Sequence, residues 1–290
     1  ELFLKSKEYT NRHTRADLQH AFLLLQDAVN LDPQFSHAHI LLAKNALEYY
    51  IAYSREKIWI EKMEEHLSCA ELILGDDEGI YLVRSNLARQ LGNFEDAIEL
   101  AKKAILRTPD SPQAYTALAF AYEALDREED AVTAFKKALE HQQSNRTVHF
   151  NYLLALYRLG DRTQLGLAVQ NARPLYEQYL RMAPDDFNAS IEYADILSWG
   201  GESARALAEA RRLEAVGELD SSILYNLACL YLQEHESESA LRMLRSAVEC
   251  GFLDVGTFRR DPDLDPLRGD PEFEKLLEQV SKKISKEQQG

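Results

Sequence analysis

Chain breakers and crosslinkers are scarce in this sequence. Of 290 residues, only 12 are glycine and 8 are proline. A fold rich in tight turns needs more of both, so long helices joined by short loops are expected. The three cysteines, Cys69, Cys229 and Cys250, form no C-x-x-C pair and no even framework. Buried thiols in a reducing, cytoplasmic setting are the expected reading. No apolar run reaches the roughly 18 residues of a membrane span, and no charged-then-apolar leader opens the chain. Positive charge is also short: 33 Lys and Arg face 48 Asp and Glu, for a net charge of −15. Phosphate backbones and anionic lipid both call for a cationic surface, so neither nucleic acid nor membrane is expected as a partner. The chain opens on Glu1 and not on Met. We therefore expect a piece of a longer protein whose remainder carries any chemistry.

What is present is a hydrophobic fraction of 46%, which excludes disorder as the main state, and a repeat. Tyr115, Leu118, Ala119 and Tyr122 are followed by Ala131, Phe135 and Ala138. Leu224, Leu227, Ala228 and Tyr231 are followed by Ala240, Leu244 and Ala247 at identical offsets. A third copy runs through Tyr81, Ser85, Ala88, Gly92, Ala97, Ala101, Ala104 and Pro109. Anchors at i, i+3, i+4 and i+7 share one face of a helix, so each copy reads as two antiparallel helices. Small residues at the eighth position (Ala43, Ser85, Ala119, Ala228) and the twentieth (Ala97, Ala131, Ala206, Ala240) let the two helices approach closely. A larger side chain there would overpack, at about 1–3 kcal/mol. Pro33, Pro109 and Pro184 end the second helix of their repeats.

These anchors resemble the tetratricopeptide repeat family over nearly the whole chain. The resemblance implies an all-α, right-handed superhelix of about seven helix pairs with a C-terminal capping helix. The expected repeats are 2–35, 36–77, 78–111, 112–145, 146–186, 187–220 and 221–254, with a cap at 255–286. Two repeats are overlong: Pro33 and Pro109 are 76 residues apart and Pro109 and Pro184 are 75, against 68 for two periods of 34. The extra residues, around Tyr53–Ile60 and Arg162–Gln170, are expected to lengthen helices that protrude. The stretch Phe252–Arg268, rich in Asp and Pro, cannot be a long helix, whereas Phe273, Leu276, Leu277, Val280 and Ile284 make one apolar stripe. The opening residues Tyr9, Arg12, Thr14 and Leu18 and the closing run Arg260 to Phe273 are similar to repeat regions attached to bacterial nucleotide cyclases, Ser/Thr kinases and winged-helix regulators. A signalling role follows as an expectation.

No nucleophile elbow, phosphate loop or H-E-x-x-H motif is present, so no catalytic residue and no cofactor is expected. Acids at Asp261, Asp263, Asp265 and Glu272 imitate a calcium loop, but Pro266 stands where that loop turns on glycine. Asp270 is instead expected to cap a helix that starts at Pro271. His37 and His39, two residues apart, do not share a helix face. His39 and His149 occupy packing slots, and His13, His20, His66, His141 and His235 lack ligand spacing. No metal is expected.

In the family the first helix of each repeat lines a concave groove through repeat positions 2, 5, 6, 9, 12 and 13. The resemblance therefore implies a protein or peptide partner in that groove. It would be held by Asn86 and Arg89, by Gln113, Phe120 and Glu123, and by Asn151, Tyr157 and Arg158. Glu192, Tyr225 and Asn226 complete the set, with Asp195, Trp199, Cys229 and Gln233 on the same face. Side-chain amides can bond both the N–H and the C=O of an extended peptide, and aromatic rings offer pockets for apolar anchors. Positions 5 and 6 of the second to fourth repeats are Ile40, Leu41, Leu82, Val83, Thr116 and Ala117. They lack the Lys/Arg set with which one subfamily holds C-terminal carboxylates. Two alternatives remain open. One is a homodimer through exposed Ile58, Trp59, Leu165 and Leu167; the other is a small-molecule sensor using the groove.

Overall fold

The computed structural model describes residues 1–10, 14–217 and 219–287, with side chains to residue 283 in the last helix. Arg12, His13 and the side chain of Ile284 lie outside the described residues. Two compact units divide the chain, 1–148 and 149–290. Among the described residues there is no strand.

The first unit holds α1 (Leu2–Thr10), α2 (Arg15–Leu31), α3 (Ser36–Ala52), α4 (Lys57–Leu74), α5 (Glu78–Gln90), α6 (Phe94–Arg107), α7 (Pro112–Glu123) and α8 (Glu128–His141). Consecutive helices pack in pairs, α1 on α2, α3 on α4, α5 on α6 and α7 on α8, and the first helices of successive pairs also touch, α3 to α5 and α5 to α7. The alanines allow this. Ala43, Ala97, Ala119 and Ala131 are wholly buried, and Ser85, the polar member of the set, donates its hydroxyl to the Ala97 carbonyl at 2.8 Å. Helix starts are written locally. Thr14 accepts from the Asp17 amide, Asp77 from Gly79, and Ser111 from Ala114 ahead of Pro112 in the first turn. Stops use a left-handed residue: Gly92 in one pair, and Asp126, with φ of 55°, in the next. An aspartate adopts that conformation at less cost than most residues, which is one reason so few glycines suffice.

The second unit holds α9 (Arg146–Leu159, whose first residues belong to the first unit), α10 (Arg162–Met182), α11 (Phe187–Trp199), α12 (Ser203–Glu214), α13 (Ser221–Gln233) and α14 (Ser237–Glu249). A short α15 (Val255–Arg260), a 3-10 turn (Pro262–Leu267) and α16 (Pro271–Glu287) follow. The pairs α11–α12 and α13–α14 pack as in the first unit, and α16 lies on α14 and α15. Asp261 caps the 3-10 turn by accepting from the Asp263 amide at 3.0 Å. Asp270 caps α16 through the Glu272 amide at 2.8 Å. Phe273, Leu276 and Val280 bury one stripe of α16.

One of the two expectations about the overlong repeats is corrected. Around Tyr53–Ile60 no single helix is lengthened. The chain leaves α3 at Tyr53 and re-enters a helix at Lys57, so two long neighbours share the extra residues. The reversal is fixed by Trp59, which folds back onto Tyr49 (ring centroids 4.2 Å apart) and meets Phe22 edge-on. By contrast, 162–170 forms the first turns of the 21-residue α10. The four side chains expected to be exposed for self-pairing also divide. Ile58 and Leu167 are exposed, but Trp59 is half-buried and Leu165 is only 1% exposed, because its face of α10 turns into the core.

Candidate functional site

In the first unit the groove-facing positions gather around one cavity of about 510 Å³. Its walls come from the first helices of three successive pairs. Helix α3 contributes Ile40, Lys44, Leu47 and Glu48, α5 contributes Leu82, Val83, Asn86 and Arg89, and α7 contributes Gln113, Thr116, Ala117 and Phe120. Gln142, Asn145, Thr147 and Val148 complete the wall. Four of the expected residues, Asn86, Arg89, Gln113 and Phe120, are thus brought together. The α3 residues were missed, although the signal was available. Counting positions 5, 9, 12 and 13 from Ser36 gives Ile40, Lys44, Leu47 and Glu48.

Arg89 sets the electrostatics of this cavity. Its guanidinium donates to Asn86 Oδ1 at 2.9 Å and lies over the Phe120 ring, 5.5 Å from the centroid. Burial pushes its pKa down from the ordinary arginine value, and Glu123 opposes that shift. Glu123 therefore acts on the site through Arg89 and not as a wall residue. Lys44 pairs with Glu48 at 3.8 Å. The result is an apolar hollow with amides and one partly desolvated cation, suited to an uncharged or mixed ligand such as a polypeptide segment.

In the second unit the same repeat positions are largely consumed by the protein itself. Tyr157, expected to offer a pocket, stacks on Trp199 at 5.3 Å, and Phe150 stacks on Trp199 at 5.6 Å. Glu192 accepts from the Tyr176 hydroxyl at 2.7 Å. Tyr225 departs furthest from expectation, being 5% exposed. Its ring stacks on Phe252 at 4.4 Å and meets Phe258 edge-on, and its hydroxyl donates to Asp261 at 2.6 Å. The connector after α14 lies on α13 and covers this tyrosine. Asn151 is half-buried, whereas Arg158 and Asn226 are exposed.

Beside Tyr225, the Cys229 sulfur and carboxylate oxygens of Asp261 and Asp263 lie within 4.8 Å of one another. Thiolate with carboxylates is a zinc-type donor set. Such ligands must lose their protons to bind, and this site favours keeping them. Burial pushes the Cys229 thiol up, with the three nearby aspartates adding to it. Burial and Asp261 push Asp263 up to about 6, against the pull of Arg158. Burial, with Asp263 and Glu192, holds Asp195 well above the ordinary carboxylate range. Protons on these groups would ease the crowding of like charge. A second hollow, of about 470 Å³, has two of its lining arginines paired with carboxylates: Arg205 with Glu202 at 2.6 Å and Arg212 with Glu209 at 2.6 Å. Among the described residues no helix is long and apolar enough to cross a membrane.

Comparison with known proteins agrees with this architecture. A tetratricopeptide repeat protein from Parabacteroides merdae is 17% identical, with a TM-score of 0.51 over 97% of both chains. The pilF protein of Pseudomonas aeruginosa is 14% identical, with a TM-score of 0.51 over 74% of this chain and 90% of its own. Among curated proteins, a chloroplastic protein of Arabidopsis thaliana is 35% identical over 63 residues. That match spans 22% of this chain and about a fifth (19%) of the relative's length. The sequence model of the tetratricopeptide repeat family matches residues 34–221. With that match over more than half its length, and with paired helices nested on small residues, the chain belongs to the tetratricopeptide repeat family.

Proposed function

We propose that the chain is a non-catalytic interaction scaffold whose partner-binding site is the cavity of the first unit, and that it serves a larger bacterial signalling protein in the cytoplasm. Proteins of this family bind peptide or protein partners. The observation that carries the reading is the convergence of α3, α5 and α7 on one apolar hollow containing Asn86, Arg89, Gln113 and Phe120. The fitting ligand is an extended peptide with one bulky apolar anchor. The hollow would take the anchor, while Asn86 and Gln113 would bond its backbone. Arg89, already held by Asn86 and Phe120, would orient it. Affinity on the order of micromolar is expected for such a transient contact. The same repeat logic extends the groove to Asn151, Tyr157, Arg158, Glu192, Tyr225 and Asn226. In the second unit Tyr157, Glu192 and Tyr225 are engaged internally, while Arg158 and Asn226 are exposed and Asn151 is half-buried.

Selection from a displayed random-peptide library tests this. Enriched peptides should share an aromatic or aliphatic anchor. Leu82→Arg should abolish their binding, and Phe120→Ala should weaken it about tenfold, one anchor contact being worth roughly 1–2 kcal/mol. A library that yields no binder, or binders indifferent to both substitutions, removes the cavity from this role.

A further inference from the structure

Two histidines that lack any ligand spacing in the sequence meet inside the first unit. His39 on α3 and His66 on α4 are each 6% exposed, and their Nδ1 atoms are 3.2 Å apart. His39 Nε2 lies 3.1 Å from the Pro33 carbonyl oxygen, in the connection between α2 and α3. A carbonyl can only accept, so His39 Nε2 carries a hydrogen. In the neutral pair, His39 Nδ1 is then a lone pair and His66 Nδ1–H donates to it. Phe22 of α2 covers His66 edge-on, with ring centroids 6.3 Å apart. The pair therefore ties α4 to α3, and both to the end of the first helix pair.

Proton counting gives this contact an unusual property. One added proton can sit on His66 Nε2 and leave the Nδ1–H···Nδ1 bond intact. A second must go to His39 Nδ1, and two N–H groups then face each other across 3.2 Å in a buried place. Burial pushes the His66 pKa below the ordinary imidazole value; His39 and Lys62 push the same way, and Glu65 opposes them. Two cations on the neighbouring helices are engaged elsewhere. Arg84 of α5 is bound to Glu64 and Glu71, Arg15 of α2 donates to the Tyr49 hydroxyl at 3.0 Å, and α2 presents the uncharged Phe22.

We propose that His39 and His66 form a proton-operated latch between α3 and α4, the two helices of the second pair, shut while the two rings share at most one added proton and released by the second. The latch adjoins α3, one wall of the binding cavity, but its existence does not depend on what that cavity binds.

Amide hydrogen exchange of the full chain tests it, with rates corrected for the intrinsic effect of pH. Between about pH 7.5 and pH 5, protection across α2–α4 should fall at least about tenfold relative to α6–α8, as expected when a buried hydrogen bond is lost. His66→Gln should abolish this regional difference. An equal response in both regions, or a fall that survives His66→Gln, overturns the latch. Should the variant fail to fold at the higher pH, imidazole nitrogen shifts in the unaltered protein decide the matter. Two coupled steps are expected, the second coinciding with the loss of protection. Two fully protonated rings with protection retained overturn it.

Discussion

The two units put the same repeat positions to opposite ends. In 1–148, position 9 of successive repeats supplies Lys44, Asn86 and Phe120 to an open hollow. In 149–290, position 9 supplies Asp195 and Cys229, which are crowded by Asp261 and Asp263 of the connector. Helix geometry is alike in both, so it is not what decides whether a repeat face is open. What differs is whether another segment settles on it. The connector does so because Phe258, Leu264, Leu267 and Phe273 bury completely or nearly so. That burial is strong enough to bring two more carboxylates up to a face that already holds Asp195.

The comparison can be broken most forcefully at Phe273. Truncation of this fully buried ring (Phe273→Ala) should cost about 3–5 kcal/mol, read as a lowered denaturation midpoint and as lost amide protection in α13–α16. Protection in α5–α8 should be unchanged. If α13 stays protected, the connector does not close that face.

Charge offers a sharper distinction, because one buried group in each unit, Asp263 and His66, should respond to acid with opposite signs. Asp263 titrates at about 6, above the ordinary carboxylate value. Between roughly pH 4 and pH 6 Asp263 in the folded second unit therefore holds a proton that it lacks in the unfolded chain, and its contribution to stability rises as pH falls through that window. His66 is displaced downward. The unfolded chain takes up its proton near pH 6.5 while the folded first unit resists, so stability there is present above that pH and lost below it. Asp263→Asn should mimic the protonated state, stabilising the second unit by about 1–2 kcal/mol at neutral pH and flattening its acid response. Urea titrations at several pH values, followed by exchange in each unit, would show this. A first unit strengthened by acid would contradict the assignment.

The smallest effect belongs to the open face. Asn86→Ala removes an acceptor for Arg89 beside a hollow. Stability should change by only about 0.5 kcal/mol, while binding of library-selected peptides should weaken severalfold. Equal losses in both measurements would make Asn86 a structural residue and not a recognition residue.

Much of this was readable from residue spacing. The alanine beat at Ala97, Ala119, Ala131 and Ala240 fixes helix pairing, because only small side chains let two helices approach that closely. Counting the same beat finds the cavity walls on α3, α5 and α7. Other features were not readable. Leu165 and Leu167 sit two residues apart in one apolar stretch, and only the seating of α10 buries one and exposes the other. Tyr225 occupies a groove position by count, but its fate depends on Asp261, 36 residues later.

The sequence by itself determined that helices form, where several of them start and stop, and that they nest in pairs, since those outcomes depend on contacts a few residues apart. The tertiary structure alone decided which repeat face stays open, which tyrosine is covered, and that His39 meets His66 across 27 positions. These contacts join segments whose separation is set by how whole helices cross, and that is a sum of many small packing terms that no local pattern records.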